Sequence, residues 1–465
     1  MGERVEDVTT HPVLAGCARS VAGVYDLQYD VTHQDLLTIP SPTTGQRVSR
    51  SYRLPRSVDD LACQRRMYEF LVRRAGGVAA RLPQHLATVV LGLYDIRDLL
   101  GKENPAFAEH VAGYFEYCRE NDRSIATVFS DPLHHRNHPV SKQEPLRVVE
   151  RRSGGVIVRG AKGVGTQAPY SNELFCMAPP RPDLRPEEDV YFATPVNAEG
   201  VHVICRESLA SSNPADHPVS PGWDEMDSIV VFDDVFVPWD RVFYLRQSPA
   251  IDLAYAARLF QGAIGLGPWY VLVRLAVKAE VLLGICAAIT ESLGSSAQPS
   301  VQSAVADAIV YLETLRACIQ AAEANPVQSP SGLALPNPTT ALAARTFAIE
   351  RYPALLQHIR ELCGPGLLMA PGQADLHNAD IGPHLHHYFV ARDEGAPDRF
   401  RLLKLAWEYA CDSFASRQLL FEMYNVGSLA TNKQRLASTY DTGACVALAQ
   451  ELAGIASPTR SQRAS

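Results

Sequence analysis

The stretch Gly160-Ala161-Lys162-Gly163-Val164-Gly165-Thr166 has residue types suited to chemistry. It is a glycine-rich loop after a β-rich run, and such a loop brings backbone N–H groups and the Thr166 hydroxyl against a planar ring. The same residues also fit a plain turn with a solvated hydroxyl. No GxGxxG follows a strand, so nothing suggests a nicotinamide dinucleotide site, and reductant is expected from elsewhere. His384, His386 and His387, with His377 and Asp380 nearby, invite a metal reading. Consecutive histidines point different ways in either regular structure, so a solvated polar connection and no metal are expected. The ten cysteines are scattered with no CxxC, which excludes zinc ribbons and redox dithiols and predicts buried reduced thiols. Glu187-Glu188-Asp189 reads as a charged turn, and Gly364-Pro365-Gly366 as a helix end in a tight turn.

Composition narrows the partners. The 465 residues are 46% hydrophobic and 20% charged, with Lys+Arg 43 against Asp+Glu 51 and a net charge of −8. An acidic balance without a basic run excludes a phosphate-tracking surface, so no nucleic acid is expected. The apolar region from Ile251 to Thr290 is interrupted by Arg258, Arg274, Lys278 and Glu280, which argues against a membrane span. The N-terminus, Met1 to Glu6, has no apolar signal region, and the expected location is the cytoplasm.

Three zones position these residues. A mainly helical domain is expected over 1–131, with a capped helix start at Ser57 and a second helix from Pro105 through Phe107, Val111, Tyr114, Phe115 and Cys118. A middle β domain is expected over 132–248. Its runs at 146–150 and 156–159 flank Ser153-Gly154-Gly155, where glycines suit the positive φ of a hairpin turn; further runs follow at 190–196, 201–205 and 229–237. Strands this close without intervening helices predict an antiparallel barrel or sandwich. A C-terminal helical bundle is expected over 249–465. Val301, Val305, Ala308, Leu312, Leu315 and Ile319 form one apolar seam; Phe400, Leu403, Trp407, Ala410 and Phe414 form another. Long helices around 255–293 and 339–363 complete a four-helix bundle.

This α+β order is that of an acyl-CoA-dehydrogenase-like flavoprotein, and particular stretches sharpen the likeness. They are Val24-Tyr25-Asp26-Leu27-Gln28, Arg159-Gly160-Ala161-Lys162 with Thr166-Gln167-Ala168-Pro169, Ile204-Cys205-Arg206-Glu207-Ser208, and the run from Trp223 through Ser228 and Phe232 to Val242. The chain resembles the large, oxygenase component of two-component 4-hydroxyphenylacetate 3-hydroxylases. The resemblance implies FAD, delivered as FADH2 by a separate NAD(P)H:flavin reductase, reacting with O2 to a C4a-hydroperoxide that hydroxylates a small, phenolic aromatic. It also implies a homo-oligomer, tetramer or dimer.

Site residues follow from the resemblance position by position. Thr166 matches the family's flavin-contacting threonine. Asp131-Pro132-Leu133-His134-His135-Arg136 occupies the family's Pro-Gln-x-x-Arg loop, with Arg136 matching and Leu133 at the glutamine position. Thr127, Phe129, Leu133, His135, Arg136, Thr166, Gly427 and Ser428 are the implied cofactor contacts. The family's Arg-x-Pro-Asp-Tyr substrate motif reads Arg81-Leu82-Pro83-Gln84-His85 here, and Thr127 stands where the family has a histidine. Threonine is no base near neutral pH, so His85 is expected to take over beside Arg81, unless the substrate needs no deprotonation. Arg81 and His85 are the implied catalytic and substrate-binding pair, with Thr127 as a further substrate contact. A related 4-hydroxybutyryl-CoA dehydratase, which holds an iron–sulfur cluster on three Cys and a His, and a non-hydroxylating flavin binder are the alternatives. The absence of Cys-x3-Cys weighs against the first.

Overall fold

The computed structural model describes residues 2–131, 145–390 and 395–455. The N-terminal region carries α1 (Ala15–Asp26), a small hairpin of β1 (Thr38–Pro40) and β2 (Arg47–Ser49), then α2 (Val58–Arg74), α3 (Pro83–Asp95) and α4 (Pro105–Asn121). Ser57 caps α2 by accepting from the Asp60 N–H at 3.1 Å, and Asn104 caps α4 through Ala106 N–H at 3.1 Å. The inward face of α4 is the expected one: Phe107, Val111, Tyr114, Phe115 and Cys118 are all buried.

Two four-stranded sheets follow. The strands are β3 (Ile125–Val128), β4 (Arg147–Arg152), β5 (Gly155–Lys162), β6 (Glu173–Cys176), β7 (Val190–Pro195), β8 (Val201–Cys205), β9 (Ser228–Pro238) and β10 (Val242–Leu245). One sheet has the order β10-β7-β6-β3 and the other β4-β5-β9-β8. β4 and β5 form the expected hairpin, pairing Arg152 with Gly155. Its glycines do not serve a positive φ, however. Gly155 is required by close approach instead, because a Cβ there would collide with the Val237 carbonyl of β9. Neighbouring strands run antiparallel except β3 and β6, which are parallel. β3 lies before residue 131, so the sheet draws its edge from the chain that follows α4. The Glu187–Asp189 segment is no solvated turn. Glu188 and Asp189 are buried, Glu188 pairing with Arg181 and Arg185 and Asp189 with Arg246 at 3.0 Å.

The C-terminal helices are α5 (Leu253–Ala263), α6 (Gly267–Ser292), α7 (Pro299–Ala324), α8 (Pro338–Cys363), α9 (Ala396–Ala410), α10 (Ser413–Tyr424), α11 (Leu429–Thr439) and α12 (Gly443–Leu452). α6, α7, α8 and α9 pack together as the bundle. The 301–319 seam runs along α7, buried except at the half-buried Val305. Two expectations of continuity fail. The helix expected around 255–293 is broken at residues 264–266 into α5 and α6. The 400–414 seam is split because Asp412 caps a new helix, accepting from Ala415 N–H at 2.8 Å. After these breaks α5 packs on α3, while α10 and α11 pack on the bundle helix α8, and residues of all three helices line one cavity.

Candidate active site

The cavity has a volume of about 1300 Å³ and is walled by residues from every region. β3 contributes Thr127, followed by Phe129; the turn after β5 gives Gly163 and Val164; α3 and the residue before its cap give His85 and Arg81. α5, the break after it and α6 supply Phe260, Ile264 and Pro268, and the α10–α11 pair with its connecting turn supplies Arg417, Phe421, Asn425, Gly427, Thr431 and Arg435.

Arg81 is held by its backbone. Pro83 opens α3, whose first turn therefore begins without a side-chain cap at Leu82. Buried Glu225 fills that role from across the fold, accepting the N–H of Ala80 at 2.6 Å and of Arg81 at 2.5 Å. Arg81 and His85 stand four residues apart, on one face of the helix start, and the Arg81 guanidinium meets His85 Nε2. Nδ1 of His85 and Nε of Arg81 are buried without a partner among the described residues. Burial, then the charges of Arg81 and Arg274, hold the His85 pKa well below its ordinary value, so the imidazole is neutral. Burial pulls Arg81 down to about 10 despite Glu225, still a cation at neutral pH.

A second set fixes the loops around this pair. Asp227 accepts from Arg417 at 2.7 and 2.8 Å, from the Thr166 hydroxyl at 2.7 Å and from Arg206 at 3.1 Å. Burial alone would raise its pKa, but Arg417, then Thr166 and Arg206, hold it well below the carboxylate range. Gln167 N–H donates to the Glu225 and Met226 carbonyls at 2.8 and 3.1 Å, joining the 163–168 loop to the 224–228 loop. Val164, Gln167, Met226 and Val426 all have positive φ, and this strain gathers at the cavity and the loops beside it. At the α10–α11 turn Gly427 has φ +98° and a Cβ there would sit 2.7 Å from Asn432 Oδ1.

The structure brings Arg81, His85, Thr127, Phe129 and Gly427 together on one cavity. Thr166 departs from expectation: its hydroxyl is donated to Asp227 and does not line the cavity. Ser428 caps α11 through Thr431 N–H at 3.3 Å instead of lining it. Leu133, His135 and Arg136 lie outside the described residues. Asp227, Arg417 and Arg435 were not foreseen, and Asn425 was signalled only as part of the 421–428 stretch around Gly427; for Asp227 the acidic run 223–228 was the visible signal.

The histidines around 384 do not lie in a loop connection: His384, His386 and His387 are exposed on a short helix, Gly382–Tyr388, with His386 Nε2 3.2 Å from the Leu376 carbonyl. His217, Glu408 and Asp412 do approach one another. Yet Glu408 accepts the N–H of Val219 and Ser220 at 2.6 and 3.0 Å, and Asp412 caps α10, so both carboxylates are used structurally. Among the described residues no cysteine joins such a group, and the dehydratase ligand set has no counterpart there.

The family described as 4-hydroxyphenylacetate 3-hydroxylase N terminal matches residues 1–244, and 4-hydroxyphenylacetate 3-hydroxylase C terminal matches residues 261–454. The chain belongs to the 4-hydroxyphenylacetate 3-hydroxylase family. It is 33% identical over 448 residues to the 4-hydroxyphenylacetate 3-monooxygenase oxygenase component of Thermus thermophilus, covering 95% of this chain and 90% of that protein. It is 32% identical over 439 residues to the 4-nitrophenol 4-monooxygenase/4-nitrocatechol 2-monooxygenase oxygenase component of Rhodococcus opacus, covering 91% and 81%. The crystal structure of a 4-hydroxyphenylacetate 3-monooxygenase oxygenase component complexed with FAD and 4-hydroxyphenylacetate matches with a TM-score of 0.91 and 30% identity, over 97% of this chain and 94% of that one. The fold of this family member is thus the acyl-CoA-dehydrogenase-like one expected.

The cavity fits a flavin. Its volume exceeds what a single-ring aromatic fills. Among the described residues Asn425 Nδ2 is a buried donor without a partner, and half-buried Arg435 meets no carboxylate.

Proposed function

We propose that this chain is the oxygenase component of a two-component flavin monooxygenase that hydroxylates a small phenol with O2, using FADH2 from a separate NAD(P)H:flavin reductase. The observation that carries the reading is the meeting of Arg81 and neutral His85 on one large cavity in a chain of this family. The names of the two relatives above, oxygenase components of a 4-hydroxyphenylacetate 3-monooxygenase and of a 4-nitrophenol 4-monooxygenase/4-nitrocatechol 2-monooxygenase, support the substrate class.

The residues divide the work. Arg81 binds the phenolic oxygen, and His85, neutral and with a free Nδ1, orients it by a hydrogen bond. Thr127 lines the wall as a small polar contact without acting as a base. Phe129, Phe260 and Ile264 exclude water from the reacting space. Asn425 and the Gly427 turn would hold polar edges of the flavin, and Arg435 its phosphates. When bound, the reduced flavin supplies the activation of O2. One oxygen atom enters the ring and the other leaves as water, with electrons drawn from NAD(P)H through the reductase.

The reading extends to three coarser properties. The chain divides at about residues 131 and 248 into the three regions described. It works in the cytoplasm, which suits its free cysteines; no helix among the described residues is long and apolar enough to cross a membrane. It forms a homo-oligomer, supported by the exposed apolar residues of α12.

The test is reconstitution with a purified flavin reductase, NADH, FAD and a panel of phenols, with catechol formation followed by chromatography. Product is expected only when chain, reductase and O2 are all present. No hydroxylated product from any phenol, with reduced flavin shown to bind, would overturn it.

A further inference from the structure

The wall behind Phe421 holds more positive charge than its carboxylates balance. Arg81, Arg274 and Arg417 all stand against this one ring, with guanidinium carbons 5.7, 5.6 and 4.6 Å from its centroid. Deeper in, Arg274 of α6 grips Glu422 with two bonds of 2.6 and 2.7 Å. Lys278, one turn along α6, reaches the same carboxylate at 2.9 Å and Gln418 at 2.8 Å. Arg345 of α8 donates to the carbonyls of Glu422 and Asn425, not to a carboxylate. One carboxylate therefore serves three fully buried cations.

The cavity side does not restore the balance. Arg417 is matched by Asp227 and Glu225, and Arg206 by Asp224 and Asp227. Arg81 has no carboxylate on its guanidinium among the described residues, since Glu225 takes its backbone N–H and the side chain faces neutral His85. Among the described residues six cations, Arg81, Arg206, Arg274, Lys278, Arg345 and Arg417, thus share the four carboxylates Asp224, Glu225, Asp227 and Glu422, and the cavity wall adds one further carboxyl, Asp412, and one further guanidinium, Arg435, which leaves the excess unchanged. The other titratable groups packed here, Tyr270, Tyr311 and Tyr352, are driven further from ionising by burial and add no negative charge. Buried charge of one sign is costly until an opposite charge completes it.

We propose that the phenolate form of the substrate is that completing anion: the site ionises its phenol by the potential of these clustered cations, four of them buried, without a protein base. The phenol O–H bond breaks, the proton passes to bulk solvent, and the electron pair stays on the oxygen facing Arg81. The inference rests on the substrate reading above and explains how the site manages with Thr127 where the family has a histidine. Burial pulls Lys278 down to about 8, so it contributes its charge below about pH 8 and loses it above.

The probe is 4-nitrophenol, whose phenolate absorbs visible light and whose phenol does not, titrated from about pH 5 to about pH 9 with flavin-free protein in excess. Its ionisation midpoint is expected to fall by about one pH unit or more on binding. Lys278→Met should raise the bound midpoint and Glu225→Gln should lower it further, and a folding defect cannot produce opposite shifts. A bound probe with an unshifted midpoint, or both variants moving it the same way, overturns the proposal while leaving the site in place. Failure of the substrate reading is distinguishable: the probe then does not bind, or Arg81→Gln leaves its affinity unchanged.

Discussion

His85 serves the site only as an uncharged imidazole, and that state has a thermodynamic signature. Its pKa is held well below normal by burial, then by Arg81 and Arg274, whereas in the unfolded chain it titrates near about 6.5. Below that pH the unfolded state takes up a proton that the folded state refuses. Stability therefore falls as pH drops from about 6.5, by up to about 1.4 kcal/mol per unit. His85→Gln should flatten this dependence: between about pH 7.5 and about pH 5.5, urea unfolding of the native protein should lose about 1 kcal/mol more than the variant. Equal losses would mean that His85 is not a buried neutral group. Arg81 and His85 were legible in the sequence because they share one short motif. Asp227 and Arg417 were not, since 190 residues separate them and no local period links them. That unseen pair also explains Thr166, whose hydroxyl answers to Asp227 and not to the cavity.

At the scale of elements, hydrophobic spacing revealed which faces turn inward but not where helices stop. Phe400 to Phe414 keeps its period of three and four, yet the chain breaks between Ala410 and Ser413. The stop is written in polar residues: Asp412 accepts from Ala415 N–H and starts α10 in a new direction. The consequence is functional, because α10 carries Arg417 and Phe421 into the cavity wall. Asp412→Ala should cost about 1 kcal/mol in urea unfolding. Asp412→Asn should restore it, since an amide oxygen still caps the helix and burial already disfavours the charge. Full loss in both variants would instead assign the effect to the carboxylate's charge beside His217 and Glu408. The hairpin at Gly155 teaches the same limit from the other direction. The turn was readable locally, but the reason for the glycine lies on β9, some eighty residues away in sequence.

At the scale of the whole molecule, α12 is out of place in an isolated chain. None of its residues is buried, although it is an apolar segment. Cys445, Leu448, Leu452 and, just beyond it, Ile455 step by three, four and three, the spacing of a seam that docks on another helix. Leu448 is 58% exposed and Leu452 82%, values at which a leucine stays in water at a cost unless a partner covers it. Fully burying each contributes about 1.5–3 kcal/mol, and a second copy of the chain brings the same stripe. The double variant Leu448→Glu/Leu452→Glu removes that gain and places carboxylates against an apolar surface. Its subunit association should weaken by about a hundredfold or more, corresponding to about 3 kcal/mol. Light scattering across a dilution series would show the native chain holding its assembly at concentrations where the variant has fallen to smaller species. An unchanged mass for the variant would release α12 from the interface, and a monomeric native chain would remove the oligomer altogether.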